Sequence, residues 1–409
     1  MNKGFLSQYF VGVAVKRLSA VEADASRSHQ HEYNGTTAMK SFMGEPAYNV
    51  KNPSPARFIW FGGEKEGISE EAFATWYQSR QSPRSEYRLY FPTTLVSQLT
   101  NAGDLLFVAR QTDSSLLIIV VKAGSTIENQ LLWLFGATAP VGQTFANLPI
   151  TGNNDPQVDY VVRYILEELG IEPEEPDTPQ LDRHLERFGD KFPTTAVFSA
   201  LARDVAAVEP QDDPDAALVT LMETEERLFL RLERQIVAKR LDQGFVTSDG
   251  ADVDSFFQFS LSVHNRRKSR VGHALENHLA WIFDTLKLRY QRGVETENRK
   301  RPDFLFPGKV EYNAPTFAVE GLSMLGVKST CKDRWRQVLS EANRIGGKHL
   351  LTLEPSISEN QTNEMRASHL QLVLPAALHR TYKPEQQSWL FSVRDFVRMI
   401  EDKEREHLG

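Results

Sequence analysis

Residues 302–341 read PDFLFPGKVEYNAPTFAVEGLSMLGVKSTCKDRWRQVLSE, and three charged residues in this stretch decide how the chain is read. Asp303 follows a proline and opens an apolar run. Lys328 closes the alternating run LSMLGVK, and Glu341 lies thirteen positions beyond that lysine. Both runs have the pattern of strands ending in a charged residue, while DRWRQVLSEANRI has the spacing of a helix that carries Glu341 back toward them. Two strands and a helix then deliver two carboxylates and a lysine to one place. Carboxylate oxygens suit magnesium, and a metal so held polarises a phosphoryl oxygen and acidifies a water, with a lysine to orient that water or neutralise developing charge. The arrangement is that of a metal-dependent nuclease. An acid, a lysine and a second acid also recur by chance in a chain that is 25% charged, so their surroundings must support the reading.

The surroundings are basic. Residues 266–301 contain ten Lys or Arg against four acids, an excess of six in a chain whose net charge is −7. The overall charge argues against a general polyanion binder, but a local basic face beside an acidic metal site suits a phosphate backbone brought up to the metal. Within the same region SRVGHALENHLAWIFDTL is helical and projects Glu276. Further on, GKHLLTLEP and LQLVLPAAL read as strands and LFSVRDFVRMIEDKERE as a closing helix. The sum is an α/β sheet with helices on its faces.

The first 150 residues differ. YFVGVAVKRL, RFIWFGG, DLLFVARQ, SLLIIVVKAG and NQLLWLFGA read as short strands of a β-rich barrel or sandwich, joined by irregular arms. One arm, KRLSAVEADASRSHQHEY, holds Lys16, Arg17, Arg27, His29, His31 and Tyr33. The other, WYQSRQSPRSEYRLYF, interleaves Arg80, Arg84 and Arg88 with glutamines, Glu86 and tyrosines. That is an inventory able to read base edges and grip phosphates, though solvated loops have the same composition. An amphipathic helix, QVDYVVRYILEELG, follows and ends at Gly170. The stretch IEPEEPDTPQ has too many prolines and acids to bury a face, so residues 171–181 read as a linker between a domain of 1–170 and one of 182–409.

At 409 residues the chain is long enough for two domains with real cores. Its single cysteine, Cys331, excludes an internal disulfide and a cysteine-based zinc site, which fits a reducing cytoplasm. A short apolar segment near the N-terminus and the lack of any long apolar run speak against secretion and membrane spanning. Gly-rich phosphate loops, HExxH, GxSxG and dinucleotide fingerprints are absent.

SVHNRRKSRVGHALENHL, KRPDFLFP and LGVKSTCKDRWRQVLSEANRI together resemble the EcoRII-like type II (type IIE) restriction endonucleases in motif order and spacing. KRLSA and the YxSR…R-x-E-x-R arm resemble the effector domain of that family, a DNA-binding pseudobarrel. The resemblance implies a C-terminal catalytic domain of the PD-(D/E)xK, restriction-endonuclease-like fold. It makes Asp303 and Glu341 the Mg2+ acids, Lys328 the catalytic lysine and Glu276 a further catalytic acid. It gives Lys332, Asp333 and Arg334 the outer C·G pairs, in line with the preference of Arg and Lys for guanine and of Asp for cytosine N4. It places Arg266, Arg267, Lys268 and Arg270 on the DNA backbone, and Lys16, His29, Tyr33, Arg80, Arg84, Glu86 and Arg88 on DNA in the effector domain. It further implies a homodimer that cuts double-stranded DNA at CCWGG ahead of the first C, leaving five-nucleotide 5′ ends, while the N-terminal domain binds a second site and relieves its own block. Residues 220–230, where the family reads the central base pair with Arg and Tyr, are LMETEERLFLR here, so CCNGG or CCGG targets stay open. Two other functions stay open as well, a DNA-binding regulator whose nuclease fold only dimerises and a structure-selective nuclease.

Overall fold

The computed structural model describes residues 5–408 apart from 25–30, 47, 49, 52, 63–66, 82–84, 138–141, 151–158, 174–178, 249, 332 and 333. The chain forms two compact units, one of residues 1–174 with 355–361, the other of 175–354 with 362–409.

In the first unit, runs of β-branched and aromatic residues make eight strands. They are β1 (Phe10–Arg17), β2 (Glu32–Asn34), β3 (Pro53–Phe61), β4 (Ile68–Arg80), β5 (Glu86–Tyr90), β6 (Leu105–Gln111), β7 (Leu116–Val121) and β8 (Ala146–Pro149). They join in the order β2-β5-β4-β3-β7-β6-β1-β8, antiparallel except for the β3–β7 pair, as an open curled sheet. Its concave core includes Tyr33, Phe42, Phe58, Leu89, Phe91, Val108 and Ile118.

Three expectations fail here. NQLLWLFGA is helical, in α1 (Thr126–Leu134), because Ser125 caps the preceding turn by accepting from the Glu128 amide. The second arm is mostly sheet, since β4 and β5 pair from Thr75–Tyr90 to Arg80–Glu86. Lys16 and Tyr33 face the core, not DNA. Lys16 is fully buried, donates to Glu22 and lies 4.6 Å from the Phe145 ring centroid. Burial lowers its pKa, which the Glu22 partner opposes. Tyr33 stacks on Phe91 at 4.2 Å. QVDYVVRYILEELG does form a helix, α2 (Tyr160–Glu168), capped by Asp159 and closed by Gly170 at φ +70°.

In the second unit, α3 (Thr195–Ala206), α4 (Pro214–Asp242) and α5 (Val253–Thr285) share an apolar seam that includes Phe198, Leu201, Leu228 and Leu232. The two-stranded turn β9 (Val246–Thr247) and β10 (Gly250–Ala251) joins α4 to α5. A five-stranded sheet follows in the order β11 (Gln291–Arg292), β12 (Phe304–Phe306), β13 (Ser323–Lys328), β14 (Lys348–Thr352), β15 (Leu370–Val373). The first three strands are antiparallel and the last three parallel. Phe283 of α5 and Phe396 of α6 (Val393–His407) meet Phe306 of β12 at 5.5 Å each, which fixes both helices against the sheet. This is the α/β layer expected from the sequence.

Removing one member of a buried pair strands the other. Lys16→Met is expected to destabilise the protein by about 3 kcal/mol because Glu22 then lies buried without its cation. Thermal unfolding of the variant checks this, and an unchanged melting temperature would contradict the structural role.

Candidate active site

Asp303 is the residue before β12, and its position follows from strand pairing. Phe304 pairs with Leu325, so Asp303 arrives beside the end of β13. There its Oδ2 accepts from the Val327 amide at 2.6 Å and from Lys328 Nζ at 2.9 Å. Both side chains are mostly enclosed, with 19% of Asp303 and 17% of Lys328 exposed. Charge-assisted contacts of this kind hold a carboxylate and an ammonium in one orientation.

Glu341 reaches the same place by another route than expected. The helix is only Trp335–Val338, and Glu341 lies in the turn that follows, its amide donating to the Val338 carbonyl at 3.1 Å. The next residue, Ala342, has φ +46°, which a continuing helix cannot accommodate. Burial pushes the Glu341 carboxyl up to about 7; the Asp303 charge adds to this, and Lys328, Lys300 and Lys348 oppose it. Its Oε2 is buried with no hydrogen-bond partner. A cation would satisfy that oxygen and discharge the carboxylate pair, so the donor set fits a divalent metal.

Residues not singled out from the sequence hold this turn in place. The Tyr312 hydroxyl lies 2.6 and 2.8 Å from the two Glu297 carboxylate oxygens, donating to that group, and accepts from the Arg344 amide at 3.2 Å. Burial alone would raise the Glu297 carboxyl, but donation from Tyr312 and from the Asn343 amide holds it below its ordinary value. The Arg344 guanidinium donates to the carbonyls of Glu311, Tyr312, Ala314 and Phe317. Glu297 and Arg344 thereby tie the segment after Glu341 to the segment before Asp303. Gly326 adds a close approach, since a Cβ there would lie 2.8 and 2.9 Å from the Val338 methyls.

A protein-family model described as EcoRII C terminal matches residues 229–397. The type II restriction enzyme EcoRII of Escherichia coli is 42% identical over 413 residues, covering 95% of this chain and 93% of that enzyme. The chain belongs to the EcoRII family of type II restriction endonucleases. The enzyme is therefore a site-specific deoxyribonuclease. Among solved structures, metal-depleted Ecl18kI with uncleaved, modified DNA matches 56% of this chain and 83% of that one at 17% identity and a TM-score of 0.45. A PspGI–substrate DNA complex matches 53% and 95% at 15% identity and a TM-score of 0.44.

The remaining expected site residues of the enzyme divide. Glu276 lies on the packed half of α5 and pairs with Arg292 at 3.1 Å; Arg292 in turn pairs in β-register with Phe304. Among the described residues no group of three or more acidic, His or Cys side chains is placed to hold a metal, so Glu276 does not join Asp303 and Glu341 in this arrangement. Arg266 is exposed and lies 4.0 Å from the Phe192 ring centroid. Lys268 is exposed, and Arg267 pairs with Glu233. Arg270 is corrected from a backbone contact to a core residue, 4% exposed, donating to Glu226 and lying 3.9 Å from Glu225. Residues 220–230 belong to α4, and Glu225 there is fully buried with an oxygen 2.8 Å from His278 Nε2. Lys332 and Asp333 lie outside the described residues, as do Arg27, His29 and Arg84. Arg334 donates to Thr330 Oγ1 at 2.6 Å. In the first unit, Arg80 pairs with Glu86 at 3.0 Å and Arg88 with Glu86 at 3.2 Å.

Metal binding must displace the proton that burial favours on Glu341. Below about pH 7, Mg2+ affinity is expected to fall by up to about tenfold per pH unit. Calorimetric titration across this range checks it, with Glu341→Gln removing the dependence. The same raised pKa means the folded state holds a proton that the unfolded chain releases, so this group's contribution to stability falls as pH rises from the usual carboxylate range toward about 7. Gly326→Ala is expected to push the Val338 segment off β13 and to lower cleavage roughly tenfold or more without unfolding the protein. Steady-state kinetics with a parallel melting curve distinguish this from general destabilisation.

Proposed function

We propose that the enzyme is a Mg2+-dependent endonuclease of a restriction–modification system, active in the cytoplasm as a homodimer joined through residues 182–409. It cuts double-stranded DNA at a CCWGG- or CCNGG-like site and leaves 5′ overhangs. The observation that carries this reading is the enclosed set of two carboxylates and a lysine, in which Asp303 is already oriented by Lys328 while Glu341 retains an unpartnered oxygen.

Asp303 and Glu341 would hold the metal. When bound there, magnesium supplies neutralisation of charge at the scissile phosphate and a more acidic water. The Val327 amide fixes the orientation of the Asp303 carboxylate. Lys328 Nζ has donors beyond the one it gives to Asp303, and these can orient the attacking water or bond a non-bridging phosphate oxygen. The Glu297–Tyr312–Arg344 network keeps Glu341 from moving as substrate enters, so that the reacting groups remain within bonding distance.

Lys332, Asp333 and Arg334 directly follow the catalytic strand and would read the outer C·G pairs, while Arg266, Arg267 and Lys268 would contact the backbone. Residues 1–170 would act as an effector domain across the linker 171–181, using His29, Arg80, Arg84, Glu86 and Arg88 to bind a second copy of the site and lift an inhibition of cutting. Acidic Glu225 and Glu226 make the central base pair the least determined part of the target.

Digestion of a fully sequenced DNA with Mg2+, followed by mapping of the ends, tests the reading. Asp303→Ala is expected to reduce cleavage by at least about a thousandfold while leaving DNA binding within severalfold of the parent. Binding without cleavage by the parent protein would instead identify a regulator. A duplex carrying the site, added in trans, is expected to accelerate cutting of single-site DNA; an unchanged rate would remove the effector role.

A further inference from the structure

Between Arg234 and Ser269 no described residue is buried. This segment comprises the last turns of α4, the β9–β10 turn and the first half of α5. It is nevertheless rich in large apolar side chains: Leu241, Val246, Val253, Phe256, Phe257 and Leu261 are 43–76% exposed. Single exposed apolar residues are ordinary, but a helical arm that concentrates them is not.

The arm's own contacts use only one side of α5. Phe245 in the turn meets Phe256 at 5.4 Å and Phe259 at 5.7 Å, so those rings point back toward α4. Val253, Phe257 and Leu261 follow one another at intervals of four, which places them in a stripe on a different side of the helix. Their exposures are 56%, 58% and 60%. Asp252 and Asp254 stand at the start of this stripe, and Arg266, Arg267 and Lys268 stand beyond its end.

We propose that this stripe is the surface through which two copies of the chain pair, with the α5 helices antiparallel and crossing near Leu261. Antiparallel pairing sets the acidic start of one helix beside the basic stretch of the other, whereas parallel pairing would set like charge on like. It also lays Val253, Phe257 and Leu261 against the same stripe of the second copy, as a two-fold interface requires. Duplex DNA suits this surface less well, because phosphates would engage Arg266 and Lys268 but offer nothing to the apolar residues. The inference deepens the nuclease reading and rests on it for its purpose. Cutting both strands of a symmetric site needs two sets of Asp303, Lys328 and Glu341, and each chain carries one. The packed half of α5 lies against the catalytic sheet, so pairing through its exposed half fixes the spacing between the two sets.

Sedimentation velocity on the full-length protein without DNA tests this directly. The parent is expected to be a dimer at micromolar concentration, and Phe257→Ser with Leu261→Ser to raise the dimer dissociation constant by at least about a hundredfold. Circular dichroism and melting temperature should be unchanged. Lys268→Glu should weaken pairing about tenfold, and adding Asp254→Lys to it should restore pairing by exchanging the charges. A monomeric parent, a double serine variant that dimerises like the parent, or a serine variant whose mass is unchanged while its DNA affinity falls would each overturn the proposal. Failure of the charge exchange to restore pairing would overturn the antiparallel arrangement. A parent that dimerises through the stripe but cuts no DNA would support the interface and reject the nuclease reading.

Discussion

One carboxylate oxygen, Oδ2 of Asp303, accepts from both the backbone of Val327 and the side chain of Lys328, and the catalytic unit is arranged around that coincidence. Consecutive residues of a strand send side chains to opposite faces, so a carboxylate can take an amide from one and an ammonium from the next only if it approaches the strand edge-on. The β12–β13 register provides that approach, and the aromatic contacts of Phe283 and Phe396 with Phe306 keep β12 from shifting. A slip of one residue would turn Asp303 to the other face of the sheet. The core aromatics therefore act on the site through register.

The second carboxylate is supplied by a turn, which would be a poor platform without outside support. Glu297, Tyr312 and Arg344 provide it, and none of them needs to touch the reacting groups. Arg344 is committed to four backbone carbonyls and the Tyr312 hydroxyl to a carboxylate and an amide. Rigid support of this kind permits Glu341 to stay half-enclosed with an oxygen unsatisfied, a state that a looser turn would relieve by rotating the side chain toward water.

The legible parts of the sequence were those whose pattern is local. PDFLF and LSMLGVK alternate or run apolar over strand length, and both are strands that place Asp303 and Lys328 as expected. NQLLWLFGA has the same local look, and only the Ser125–Glu128 cap upstream, where the helix begins, separates it from a strand. Glu341 was placed near the other two groups but on the wrong element, because helical spacing continues through SEANRI and the left-handed turn at Ala342 comes from packing. Lys16 and Arg270 were misread for a different reason. A lysine or arginine is buried only when a partner waits inside, and those partners, Glu22 and the Glu225–Glu226 pair, are set by tertiary contacts that composition does not reveal. Glu297, Tyr312 and Arg344 carry no motif at all.

This burial of charge also changes how the basic segment attracts DNA. Of the ten cations between 266 and 301, Arg267, Arg270, Arg292 and Arg301 face Glu233, Glu225 with Glu226, Glu276 and Glu295. Pairs of that kind cancel at distance, and in a chain of net charge −7 the long-range field is not attractive to a polyanion. With a screening length of about 8 Å at physiological salt, attraction must then come from exposed cations within reach of the phosphates, such as Lys300 close to Asp303 and Arg266 and Lys268 on α5. A uniformly basic protein would hold any duplex and leave the base contacts little to decide. Confining the attraction to a few positions makes stable engagement depend on the groups that read the bases, so the acidic remainder of the chain serves specificity by withholding affinity.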